Sequence, residues 1–258
     1  SGYSSLTGEN QKQSSKMIKH KKEGGFQKQV STAKSTQPNF VDIMKKLSSL
    51  AMNNASGLNA QKIEEHFDNL FAIDLEMYKR KLPSITVTLQ NLAKLNLGNS
   101  KPLLGKRREV GSKLMLYCLE NFELLNQLDV LMLFWSCVRM EICSKELVKR
   151  CLDYFKNVFS LLSEKDVVTY LFSLAKLVER NGTLAKQDNI IKKHVEDVAI
   201  RVQNKITEIL SSSVNEQHIT NVIWAVDRLE LYDQDILAKC EQIFKREADS
   251  LNDTNFAI

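Results

Sequence analysis

Breakers of regular structure are scarce in this chain of 258 residues. Its three prolines, Pro38, Pro83 and Pro102, all precede residue 103, and beyond Gly111 the only glycine is Gly182. So long a stretch without either residue leaves few places for strands to turn and favours helix. The five cysteines (Cys118, Cys137, Cys143, Cys151, Cys240) form no Cys-x-x-Cys pair, and the four histidines show no metal-ligand spacing. Reduced thiols are expected, which argues against secretion and leaves Asn181-Gly182-Thr183 as an unused glycosylation sequence. Long apolar runs are missing too. The longest, Leu128 to Val138, is far too short to cross a bilayer, and no signal-peptide pattern is present, so a soluble protein without membrane contact is expected. There is no nucleophile elbow, no spaced carboxylate pair and no histidine beside a nucleophile. Gly105 and Gly111-Ser112-Lys113 have the wrong order and spacing for a phosphate loop. A non-enzyme is expected, with no cofactor, metal or small-molecule substrate.

What the chain does have is apolar content, 43% of its residues, enough to build a core. Its net charge of +5 is carried by residues 1–37, where Lys12, Lys16, Lys19, Lys21, Lys22, Lys28 and Lys34 face only Glu9 and Glu23. The remainder is neutral. Residues 1–37 are rich in Ser, Thr, Lys, Gln and Gly and cannot bury enough surface to fold alone, so a disordered basic tail is expected there. It is either a solvated segment, including the remnant of a processed presequence since no initiator Met is present, or a basic arm that orders along phosphates. Residues 38–251 are expected to form a helical domain, followed by a short C-terminal tail, 252–258.

Within that domain a repeat emerges when the last apolar residue of each first helix is taken as an anchor. The anchors are Leu50, Leu95, Met140, Leu177 and Leu229, spaced by 45, 45, 37 and 52 residues. Three residues earlier stand Leu47, Leu92, Cys137, Leu174 and Val226, and six earlier Met44, Leu89, Phe134, Leu171 and Ile223. Ile43, Thr88, Leu133, Tyr170 and Val222 stand seven earlier, and Phe40, Ile85, Val130, Val167 and Ile219 ten earlier. Only Thr88 is not apolar, so the columns trace one helical stripe repeated five times. Second helices carry a matching Cys-x-x-x-Phe spacing at Cys118/Phe122, Cys151/Phe155 and Cys240/Phe244, expected as core packing between hairpins. An insertion around Glu179 to Asn189 breaks the match in the fourth hairpin. Such hairpins must stack to bury their stripes, giving an all-α solenoid of about five degenerate hairpins.

The run Ile219-Thr220-Asn221-Val222-Ile223-Trp224-Ala225-Val226-Asp227-Arg228-Leu229, with Leu231-Tyr232-Asp233 and Ile236-Leu237 after it, resembles the repeats of octotricopeptide and heptatricopeptide proteins and of the related FAST-kinase-like proteins. Leu171 to Leu177 and Leu89 to Leu95 echo it. The resemblance spans about residues 82 to 248 and implies an α-solenoid that binds RNA in mitochondria or chloroplasts, acting in transcript processing, translation or organellar ribosomes. A mitochondrial setting is expected on this ground, with another organelle or the cytoplasm as alternatives. The chain ends a few residues past the last hairpin, leaving no room for the nuclease-like RAP domain frequent in those families, so RNA cleavage is not expected.

Two sets of residues suit RNA. One place before the anchors stand Ser49, Lys94, Arg139, Lys176 and Arg228, and four residues earlier Lys45, Gln90, Trp135, Phe172 and Trp224. Both columns fall opposite the apolar stripe, ring and cation one turn apart. Rings could stack on bases while cations neutralise phosphates; alternatively the rings are core between hairpins, covered by the cations. The second set, Lys79-Arg80-Lys81 closing the first hairpin and Lys101, Lys106, Arg107, Arg108 and Lys113 expected in the loop of the second, would form a positive rim or a merely solvated face. The expected partners are RNA and the neighbouring proteins of a ribonucleoprotein such as a mitochondrial ribosome; a protein-binding scaffold without RNA contact is the alternative.

Overall fold

The computed structural model describes residues 40–52, 57–180, 189–212 and 216–247, all within the unit Gln37–Ile258 that separates from residues 1–36. The expected basic tail (1–37), the C-terminal tail (252–258) and most of the insertion after Glu179 lie outside the described residues. The described α-helices are α1 Phe40–Met52, α2 Gly57–Phe71, α3 Leu82–Lys94, α4 Lys101–Glu120, α5 Gln127–Met140, α6 Lys145–Val158, α7 Glu164–Arg180, α8 Asn189–Ser212, α9 Glu216–Arg228 and α10 Gln234–Glu247. They pair in order into five hairpins, and no strand occurs among the described residues.

First helices pack on first helices: α1 on α3, α3 on α5, α5 on α7 and α7 on α9. Second helices meet as α2 with α4, α6 with α8 and α8 with α10. The result is an all-α helical-repeat fold in which each hairpin buries its stripe against the next. Of the repeat columns, every residue whose burial is described is buried except Ile223, which is partly so. Even Thr88 is buried, its hydroxyl donating to the Ser84 carbonyl at 2.7 Å. The second-helix columns hold at Cys118, Phe122, Cys151 and Phe155, all buried, but Phe244 is 40% exposed because no described helix stacks beyond α10.

Helix ends are set by local chemistry. A repeated Phe-x-Leu-Leu-(Asn/Ser)-x-x-Asp stretch, Phe122 to Asp129 and Phe159 to Asp166, forms a short 3-10 turn followed by a helix cap. Asn126 Oδ1 accepts from the Asp129 amide while the Asp129 carboxylate accepts from the Asn126 amide, a reciprocal box that starts α5. Ser163 Oγ accepts from the Asp166 amide and donates to its carboxylate at the start of α7. At the other end, α5 and α9 stop on Glu141 (φ 60°) and Glu230 (φ 56°), left-handed residues directly after the anchors. Ile142 N–H then donates to Cys137 O and Leu231 N–H to Val226 O, both at 3.0 Å, the closing bonds of a Schellman motif.

The basic run expected as a loop is helical: α4 begins at Lys101 and carries Lys106, Arg107, Arg108 and Lys113. Pro102 stands in its first turn, where the missing N–H costs nothing. Gly111 lets α4 approach α5, since a Cβ there would lie 3.0 Å from Met140 Cε and from Ile142 Cδ1. Lys79, Arg80 and Lys81 end a 3-10 helix, Leu75–Lys81, between the first and second hairpins.

Asp129 is 2% exposed and also accepts from Thr86 Oγ1 of α3 at 2.8 Å, so it ties a cap to an interhelix bond. Asp129→Ala should therefore lower stability by about 2 kcal/mol, for the lost cap and the lost interhelix bond, Thr86 Oγ1 keeping Pro83 O at 3.0 Å as its acceptor. Asp166→Ala, in the same local motif without that interhelix bond, should cost about 1 kcal/mol. Urea unfolding of the two variants checks the difference.

Candidate nucleic-acid interface

The ring and cation columns meet along the first-helix layer. Each ring lies under the cation one turn later on its own helix: Arg139 is 5.3 Å from the Trp135 ring centre, Lys176 5.8 Å from Phe172 and Arg228 5.9 Å from Trp224. Cations also reach the ring of the next hairpin, Lys94 to Trp135 at 6.0 Å and Lys176 to Trp224 at 4.3 Å. The three rings are half-buried. They are neither sealed core nor free platforms, because neighbouring first helices cover one side and the cations part of the other.

The cations have intramolecular partners that the sequence does not display. Arg139 Nε donates to Ala93 O in the last turn of α3 at 2.8 Å. Lys176 pairs with Glu179 at 2.9 Å, and Arg228 reaches the same carboxylate at 3.5 Å. Arg180, which the repeat register does not single out, donates from Nη1 to Val138 O at 2.9 Å and Arg139 O at 3.2 Å, and lies 3.4 Å from Glu141. Its only signal in the sequence is its place in the last turn of α7. Lys94 is exposed and has no ion-pair partner among the described residues.

The expected positive rim is largely converted into structure. Arg107 Nη1 donates to Leu95 O at 3.2 Å, and Arg108 Nε donates to Met140 O at 3.2 Å while its Nη2 pairs with Glu141. Lys113 Nζ donates to Phe71 O and, at 2.9 Å, to Ile73 O past the end of α2. Lys106 is clamped to Asp68 and Glu64 of α2. Burial, and after it the neighbouring charges of Arg108 and Arg139, lower the Arg107 pKa from its usual value. Of the second set, Lys79, Arg80 and Lys81 remain exposed with no ion-pair partner among the described residues. Replacing Arg107 or Arg108 therefore removes a helix-end bond before it removes any phosphate contact.

The layer opens between α5 and α7. A cavity of about 220 Å³ is lined by Trp135, Val138, Arg139, Phe172, Ser173, Lys176 and Arg180. Among the described residues no group of His, Cys, Asp and Glu is placed to hold a metal, and no helix is long and apolar enough to cross a membrane. Burial pushes the thiols of Cys118 and Cys143 up to about 12, those of Cys137 and Cys151 well above their usual value, and that of Cys240 upward. No family model, curated protein or solved structure matches the chain.

Two outcomes follow. With every thiol pKa raised, the folded protein should resist alkylation at about pH 8 and all five cysteines should label only after denaturation, counted by mass spectrometry. Trp224→Ala should cost about 2 kcal/mol, short of a full core deletion because the ring is half-buried, and Arg139→Gln about 1 kcal/mol for the lost carbonyl bond. Thermal unfolding of the two variants reads both.

Proposed function

We propose that the protein is a non-catalytic RNA-binding helical-repeat protein that engages single-stranded RNA along the first-helix layer α3–α5–α7–α9. The observation that carries this reading is the succession Trp135, Phe172 and Trp224 with Lys94, Arg139, Lys176 and Arg228 over or beside the rings. Single strands offer flat bases and a charged backbone, and such a series answers both. The internal bonds of the arginines do not exhaust them, because a guanidinium has five N–H donors and these use only a few. Placement in an organellar ribonucleoprotein, including a mitochondrial ribosome, belongs to the same proposal and draws on the resemblance of the repeats.

A second reading, a protein-binding scaffold without RNA contact, draws on the opposite end of the layer. There a groove of about 690 Å³ between α1 and α3 is lined mainly by Phe40, Val41, Met44, Pro83 and Val87, with Val41 50% and Val87 42% exposed. It holds one cation, Lys45, and no aromatic pair, which suits an apolar segment of a protein better than RNA.

Replacing Arg139, Lys176 and Arg228 together by Gln should weaken RNA binding across all sequences, since lost phosphate contacts carry no base information. The slope of log affinity against log salt should shallow by about two. Fluorescence anisotropy of labelled oligomers across a salt series reads this; unchanged affinity and slope in a folded variant would favour the scaffold.

A further inference from the structure

The three rings are not equivalent. Phe172 and Trp224 touch, with centroids 5.1 Å apart and planes tilted by 43°, and Lys176 lies 4.3 Å from the centre of Trp224. That gap is closed. Trp135 makes no ring-ring contact among the described residues, and it shares with Phe172 the lining of the 220 Å³ cavity between α5 and α7. Its volume equals about seven water molecules at liquid density, room for one planar heterocycle.

The lining states the chemistry of the occupant. It contributes two rings, one apolar side chain, Val138, one buried hydroxyl, Ser173, and three cations, Arg139, Lys176 and Arg180, with no carboxylate. The carboxylates that pair with these cations, Glu141 and Glu179, are not among the residues that line the cavity. A ligand with a flat apolar body and an anionic edge fits that pattern, and a nucleotide unit of a single strand is such a ligand. The carbonyl bonds of Arg139 to α3 and of Arg180 to α5 fix the cationic edge before any ligand arrives. Less ordering is then left to occur on binding.

We infer that the cavity between Trp135 and Phe172 is a single-nucleobase subsite, taking one base splayed out of the strand with its phosphate against Arg139 and Arg180. This rests on the RNA-binding reading and narrows it: one base is held between α5 and α7, while Trp224 serves as a wall behind Phe172 rather than as a second platform.

The chain has two tryptophans, which makes the test direct. Trp224→Phe leaves Trp135 as the only reporter and Trp135→Phe leaves Trp224, and each keeps a ring in place. Both full-length variants are titrated with a labelled oligouridylate and with an abasic oligomer of the same length, following label anisotropy and tryptophan emission together. The subsite requires that oligouridylate change Trp135 emission, leave Trp224 emission unchanged, and bind roughly tenfold more tightly than the abasic oligomer. Binding without a change at Trp135, or an equal change with the abasic oligomer, overturns the subsite and leaves the RNA reading standing. Absence of binding to either oligomer removes both. Should either phenylalanine variant fail to fold, 5-fluorotryptophan in the unmodified chain gives two fluorine resonances, assigned with the variant that folds, and oligouridylate must shift that of Trp135 alone; any other pattern overturns the subsite.

Discussion

Every helix ends with carbonyls that have no amide partner, and in a stack of hairpins those ends are crowded against the next repeat. In this protein cations answer them at the ends of four helices, from the neighbouring hairpin in every case but Arg107, which shares a hairpin with α3. Arg107 and Arg139 serve the end of α3, Arg108 and Arg180 the end of α5, Lys113 the end of α2, and Arg150, through Leu119 O at 3.2 Å, the end of α4. Each bond joins a positive side chain to the negative end of a helix dipole, so charge and hydrogen bonding act together. The apolar stripes alone would tolerate some sliding of one hairpin on the next. The arginine–carbonyl bonds fix the offset from α3 through α7, and with it the spacing of Trp135 and Phe172, while the Arg228–Glu179 ion pair spans α9 and α7.

This bonding explains what the sequence displays and what it conceals. The apolar columns were legible because burial acts on side chains: Val130, Leu133, Phe134, Cys137 and Met140 are all fully buried, as their period requires. The partners of the cations were not legible, because backbone carbonyls have no letter. Lys106 to Lys113 therefore looked like part of a positive rim or a solvated face, when Arg107, Arg108 and Lys113 bind helix ends and Lys106 an acidic pair on α2. The same run looked like a loop because Pro102, Gly105 and Gly111 sit in it. In place, Pro102 opens the helix and Gly111 admits close contact with Met140. The junction motif that caps α5 and α7 was open to sequence reading through its recurrence at Phe122 and Phe159, but it lies between the stripes on which the register was set.

The ring column shows a related limit. A stripe opposite the core is solvent-facing on a lone amphipathic helix, but here α5 is flanked by two first helices and α9 by one, so Trp135 and Trp224 pack partly into the seams. Their cations consequently do two things at once. They cover the rings and hold the adjoining hairpins, and their remaining donors stay on the outer surface. A neutral body is compatible with RNA binding on these terms, because the acidic residues Glu141 and Glu179 pair with the cations without entering the lining of the cavity between α5 and α7.

The central claim is that single-stranded RNA lies along the first-helix layer. Ultraviolet irradiation of the full chain bound to an oligouridylate, followed by digestion and mass spectrometry, locates the residues in contact with bases. The account predicts crosslinks within α5 and α7, at Trp135 and Phe172 or their immediate neighbours. Crosslinks concentrated on the second helices α2, α4 and α6 would contradict it.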